Sequence, residues 1–430
     1  MLEKPTQRRY LCAPRGGSPL LGAVLTFLTA TSHASGPLDE LRATRYVCSQ
    51  GPDAAVARAS RARGAASLTA AAVLPNPSLV AEHQRTLQGT AEHETVVGIS
   101  VPLGLSGRRG LLIDAAEAGM DAAALDADAA LFASALSFRA AYIEAASAVA
   151  RVELLREQQA ALDELSTTVE VLTRSGEVSG YDLLRQQTQA RLHRGVLASA
   201  EAEALSARAL LAQWTEAELT LTLESPLVGA DASSSAALTG GAGTTTRIQG
   251  LEASVRASQL EARAARRGWI PDVELFAGYR AIDVESEMGH GLSLALTVPL
   301  TFFDHGQGEA ARADAEALVA TSMAERLRRQ ARAEVEAARV RLDHLVQSVA
   351  ELEQASRDAL SLQTQARSLY AAGEVPITEL LEAFRGAEEA QLARLERARD
   401  VALARHALMR AAHTMFDSSL DAACRGRGTR

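Results

Sequence analysis

Two stretches decide how this chain folds: "SGEVSGYDLL" at 175–184 and "AGEVPITELL" at 372–381. They are two versions of the same ten residues, and the offset between them is 197 positions. Gly176-Glu177-Val178 matches Gly373-Glu374-Val375, and Leu183-Leu184 matches Leu380-Leu381. Working outward, Val101-Pro102-Leu103 matches Val298-Pro299-Leu300 at the same offset, and Pro75 answers Pro271 one residue short of it. Self-similarity at a fixed spacing is the signature of a duplicated architecture.

Each copy runs in the same order. A helix is expected over 38–73 and 247–268. Two strands follow, 78–86 with 94–103 and 272–281 with 291–300. A very long helix comes next, 108–172 and 307–371, then the Gly-Glu-Val stretch, then a return helix over 179–214 and 377–416. Between Gly107 and Leu172 there is no proline, and Gly110 and Gly119 are the weak spots. At 1.5 Å per residue, about 65 helical residues extend about 100 Å. Leu125, Leu131, Leu136, Ile143, Val149, Leu154 and Leu155 recur at helical spacing, so such a helix packs on neighbours along its length as in a coiled coil. A glycine that stops it allows the chain to fold back. Each Gly-Glu-Val stretch is therefore read as the bend of a long antiparallel hairpin.

Composition agrees. Hydrophobic residues make up 47% of the 430, yet aromatics only 4%, which suits thin helical seams of Ala and Leu better than one large core. The strands alternate with period two. Val97, Ile99, Val101 and Leu103 share a face against Gly98 and Ser100; Leu292, Leu294, Leu296, Val298 and Leu300 share a face against small or polar residues. That pattern fits a half-buried sheet edge and also a membrane barrel, apolar towards lipid. Trp269 before the second strand pair and Phe302-Phe303 after it suit an interfacial aromatic belt. Four strands cannot close a barrel, and open edges are not tolerated in lipid, so a barrel needs several copies of the chain.

The N-terminus reads as an export signal. Lys4, Arg8, Arg9 and Arg15 precede the apolar Leu20–Ala30, which is too short to span as a helix, and Ser32-His33-Ala34 places small residues for cleavage after Ala34. The competing reading is a retained anchor. Removing residues 1–34 takes away four basic residues and one acidic one, so the net charge moves from −9 to −12. An acidic chain without a basic stripe excludes nucleic acid as a partner. Cys12 leaves with the signal. Cys48 and Cys424 remain, one near each mature end, free to pair in an oxidising compartment although sequence alone does not place them together.

Taken in order, "VLPNPSL", the strand pair ending "VPL", the long helix and the "GEV" bend, all repeated, resemble the TolC-like outer-membrane efflux factor family. The resemblance covers nearly all of the mature chain and implies a mainly α fold with a small β part. The duplicated long hairpins would form a trimeric periplasmic tunnel, and four strands per chain would join one shared twelve-stranded outer-membrane β-barrel. It divides the chain into a signal peptide (1–34), repeat one (35–214), a joining segment (215–246), repeat two (247–416) and a tail (417–430). It implies an outer-membrane protein with a large periplasmic part. The function implied is a passive exit duct of a tripartite pump, with a homotrimer, a periplasmic adaptor, an inner-membrane transporter and outer-membrane lipid as partners. The alternative is a secreted or periplasmic coiled-coil scaffold.

Residue roles follow from the same resemblance. The adaptor would meet the bends at Gly176, Glu177, Val178, Gly373, Glu374 and Val375. Acidic residues after the bends would ring a closed entrance: Glu379 and Glu382, three apart on one helical face, with Asp182 of the first repeat as the third ring candidate. In the first repeat Asp182 matches Glu379, but Arg185 occupies the second position. Nine histidines show no metal-ligand spacing; no cofactor is expected, and no nucleophile–base arrangement for catalysis is found.

Overall fold

The computed structural model describes residues 39–86, 92–215, 245–284, 287–413 and Cys424. The expected signal peptide, nearly all of the joining segment and the tail apart from Cys424 lie outside the described residues.

Repeat one contains α1 (Glu40–Ser49), α2 (Pro52–Ala72), β1 (Ser78–Arg85), β2 (Glu92–Leu103), α3 (Arg108–Ser175) and α4 (Gly180–Leu211). Repeat two contains α5 (Thr246–Ala265), β3 (Val273–Val284), β4 (Glu287–Thr297), α6 (Gln307–Gln347), α7 (Val349–Ala371) and α8 (Ile377–Ala412). The order of elements is thus duplicated, and two of the expected helices are broken. The first helix breaks between Ser49 and Pro52, because Pro52 has no N–H to continue the ladder and suits only a first helical turn. The second long helix breaks at Ser348. There the serine hydroxyl bonds the Leu345 carbonyl (2.8 Å) in competition with the backbone, and Arg397 of α8 reaches the same hydroxyl (2.5 Å). In repeat one α3 runs unbroken for 68 residues, about 100 Å.

The bends are built alike. Gly176 and Gly373 sit at φ 81° and 74°. Glu177 N–H donates to the Leu172 carbonyl (3.0 Å) and Gly176 N–H to that of Thr173 (3.2 Å); Glu374 and Gly373 do the same to Leu369 and Tyr370 (2.9 and 3.0 Å). This is the paired 6→1 and 5→2 bonding that closes a helix on a left-handed residue. Nothing lies within 4 Å of a Cβ added at either glycine, so the cost of replacing them is conformational. Gly176→Ala and Gly373→Ala are each expected to cost about 1–2 kcal/mol, read as a lower melting temperature by circular dichroism. Gly180→Ala, in the first turn of α4 and without a positive φ, is expected to leave it unchanged.

Alanine builds the seams. Ala310, Ala313, Ala317, Ala320 and Ala324 of α6 are buried at alternating spacings of three and four, and α5 offers buried Ala253 and Ala257. This is coiled-coil spacing with side chains small enough to let the helices approach closely. Larger apolar groups gather in separate clusters: one near the bends, where Leu162, Leu165 and Val169 of α3, Tyr370 of α7 and Leu380, Leu381 and Phe384 of α8 meet, and another away from them around Phe138, Tyr142 and Leu211.

Candidate functional site

The sheet order is β1-β2-β3-β4, antiparallel throughout, so β2–β3 pairing joins the two repeats and β1 and β4 are the edges. The register aligns three rows of side chains across it. Leu79, Ile99, Ala277 and Leu294 form one row, Ala81, Val97, Tyr279 and Leu292 the next, and Val101, Leu275 and Leu296 a third. Because side chains alternate, all these residues share a face, and the large ones are exposed, Leu292 at 88%. The other face is mixed, with Val80, Val96, Phe276 and Ile282 set among polar and small residues. There Arg280 pairs with Glu94 (2.8 Å), Ser100 donates to Glu274 (3.4 Å), and Gly98 lies opposite Gly278.

Val298 falls just beyond β4, which ends at Thr297 rather than at the expected residue 300. The β3–β4 ladder ends at the Glu274–Thr297 pair, and Pro299, two residues on, has no N–H to continue it. In repeat one the equivalent Val101-Pro102-Leu103 remains in β2, because β3 still pairs there while β1 begins only opposite Ser100. Pro102 therefore has a free side for its missing N–H. Trp269, Phe302 and Phe303 come together at the helical end of the sheet, where Thr301 Oγ1 donates to the Trp269 carbonyl (3.1 Å); Phe303 is 93% exposed.

At the bends, Gly176, Glu177, Gly373 and Glu374 are exposed, whereas Val178 and Val375 pack against the cluster beneath. Glu379 and Glu382 are exposed on the first turns of α8 and border a cleft of about 350 Å³ floored by Leu362, Ala366 and Leu369 of α7. Asp182 is placed differently. Ser179 Oγ donates to its carboxylate (2.7 Å) and accepts from its backbone N–H (3.2 Å), a reciprocal cap at the start of α4. Burial, with the Asp182 charge second, raises the pKa of the buried Tyr370 phenol.

Cys48 and Cys424 form a disulfide, with Cα atoms 4.9 Å apart. It is buried beside Phe132, Ala135 and Leu136 of α3 and ties the C-terminal end to α1. Among the described residues no three His, Cys, Asp or Glu side chains gather as a metal site, and no helix is long and apolar enough to cross a membrane.

Sequence reasoning did not single out Leu79, Leu275 and Tyr279 on the exposed apolar face, nor the polar seam between the hairpins. Alternation in β1 carried a signal for Leu79, whereas Phe276 and Ile282 on the other face of β3 masked it for Leu275 and Tyr279.

No family model matches the chain. The nickel-cobalt-cadmium resistance protein NccC of Alcaligenes xylosoxydans xylosoxydans is 26% identical over 217 residues. That match takes in 49% of this chain and 48% of the relative, so the chain spans about half the length of the curated protein it matches. Solved structures match over far more. The OprN outer-membrane channel aligns with TM-score 0.70 and 18% identity over 87% of this chain and 90% of its own. The transmembrane channel CusC aligns at 0.69 and 17%, over 87% and 92%. The outer membrane protein VceC of Vibrio cholerae aligns at 0.68 and 16%, over 88% and 97%. The element order, the register of the sheet and these alignments lead to one conclusion: the chain has the TolC-like fold of these outer-membrane channels.

Proposed function

We propose that three copies of this chain form an outer-membrane channel, the passive exit duct of a tripartite efflux system. The observation that carries this reading is the sheet. It offers a continuous exposed apolar face, an opposite face that carries the Arg280–Glu94 pair and small residues, and two unpaired edges, a combination that costs least in lipid once neighbouring copies pair the edges. Three copies would close twelve strands, with Trp269, Phe302 and Phe303 at the periplasmic-side interface. Exposed Tyr181, Leu184, Leu192 and Val196 on one stripe of α4 supply an apolar surface for the lateral contact of helices between copies.

In this reading the bends face the periplasm. Glu177 and Glu374 are the exposed groups an adaptor would meet, with Gly176 and Gly373 setting the turn and Val178 and Val375 supporting it from below. An inner-membrane transporter would supply the energy; the chain acts as a duct and not as an enzyme. The name of the NccC relative makes divalent metal cations the first cargo to test. Glu379 and Glu382 would ring the entrance as six carboxylates, with Asp182 kept outside that set by its capping role. Such a ring concentrates cations. Glu379→Ala with Glu382→Ala is expected to raise conductance in planar bilayers and to weaken block by multivalent cations about tenfold. Unchanged conductance and unchanged block would argue against the ring.

The reading as a whole is tested by reconstituting the purified protein into planar bilayers. Discrete single-channel steps are expected. A scaffold protein would give none.

A further inference from the structure

The seam between the two hairpins is polar along part of its length. Gln363 donates to Gln158 (3.4 Å), Arg367 to Glu164 (2.6 Å) and Arg385 to Gln189 (2.7 Å). Nε2 of His193, on α4, is buried on this seam without a hydrogen-bond partner, in a residue only 3% exposed.

The surrounding bonds fix the ring's proton. The Gln159 side-chain N–H donates to Asp163 Oδ1 (2.9 Å). Its Oε1 is therefore turned to accept, and it lies 2.9 Å from His193 Nδ1. An amide oxygen only accepts, so Nδ1 carries the hydrogen. In the neutral ring Nε2 is then a lone pair, and it faces Glu388 Oε2 of α8 at 3.6 Å. Acceptor meets acceptor across the boundary between the hairpins, with the His193 ring buried and the Glu388 side chain partly exposed. A second proton on the ring turns Nε2 into a donor and the opposition into a charge-assisted hydrogen bond.

We propose that His193 and Glu388 form a proton-operated latch tying the first hairpin to the second. Among the neighbouring charges, Asp163 reaches the ring only through Gln159. Asp163 of α3 pairs with Arg194 of α4 (2.8 Å), Arg156 of α3 with Glu201 of α4 (2.6 Å), and Arg385 of α8 with Gln189; Glu389 is exposed. Proton uptake closes the latch and favours the packed arrangement of the hairpins; rising pH releases it. The consequence for a tunnel rests on the channel reading, while the latch itself does not.

His406, further along α8, has the opposite sense. Burial, then Arg139 and Arg410, push its pKa down to about 4. Its ring stays neutral in the fold, so the stability it lends is present above the ordinary histidine range and is lost as pH falls from about 6.5 towards 4. Acid therefore loosens its surroundings while tightening the latch.

The test is hydrogen exchange of the full chain in detergent at about pH 5.5 and about pH 8, on either side of the histidine range, corrected for intrinsic exchange. Peptides covering 155–166, 188–198 and 384–392 report the seam. At least about tenfold greater protection is expected at the lower pH, the effect of one charge-assisted bond. Glu388→Gln, whose amide donates to the neutral Nε2, is expected to keep the seam protected at both pH values. His193→Gln is expected to abolish the contrast as well. No contrast in the wild type, or the same contrast in Glu388→Gln, overturns the latch, and Glu388→Gln decides alone should His193→Gln fail to fold. Because exchange is read without a bilayer, absence of conductance would count against the duct and not against the latch.

Discussion

Leu294→Arg is expected to stop the protein accumulating as an assembled species in the outer membrane. Leu294 stands mid-way along β4, 76% exposed, in one row with Leu79, Ile99 and Ala277. A guanidinium on the lipid face near the bilayer midplane costs about 2–4 kcal/mol per copy, and a trimer would carry it three times. The neighbouring Ser293→Arg places the same charge on the opposite face, where Arg280 and Glu94 already lie, and is expected to be tolerated. Outer-membrane fractionation with gels that preserve detergent-resistant oligomers separates the two. The contrast between adjacent positions is what matters. A scaffold that keeps the sheet in water would accept both changes alike, since an exposed arginine costs little there.

The second large effect is expected at the disulfide. Cys48→Ser with Cys424→Ser should lower stability by about 2–5 kcal/mol, the usual cost of losing a native disulfide. The bond joins positions 376 apart, so it constrains nearly the whole unfolded chain. It also anchors the C-terminal end into the cluster around Phe132 and Leu136. Melting followed by circular dichroism under oxidising conditions should show the loss, and reductant added to the unfolded wild-type chain before refolding should reproduce it. Equal melting of wild type and variant would mean that packing alone holds the two ends.

The parts of the fold legible in sequence are those with local chemistry. The bends were readable because a left-handed glycine and its flanking residues occupy ten consecutive positions twice. β2 and β4 were readable because small or polar residues alternate cleanly with Val, Ile and Leu. β3 was harder. Its polar-side positions include Phe276 and Ile282 beside Glu274, Gly278 and Arg280, which blurs the alternation and hid Leu275 and Tyr279 on the exposed face. The break at Gly51-Pro52 carried a local sign. The break at Ser348 depends on Arg397 from another helix and had none.

The candidate sites divide the same way. Gly176 and Gly373 act through their own backbone, so sequence could place them. Val178 and Val375 belong to the supporting cluster, a distinction that only packing makes. Asp182 matches Glu379 in the repeat, yet Ser179 engages it as a cap while Pro376 stands at the equivalent N-cap position before α8 and offers no side-chain bond. Cys48 and Cys424 could be named as a pair, but their proximity arises from long-range packing of α1 and α3. His193, Gln159 and Glu388 come from three helices, and no spacing in the sequence announces them.

The central claim is that the open-edged sheet is completed by identical chains in the outer membrane. Native mass spectrometry of the protein extracted from purified outer membranes in detergent tests this directly. A trimer retained in detergent is the predicted result. A water-soluble monomer or dimer, absent from the membrane fraction, would contradict it.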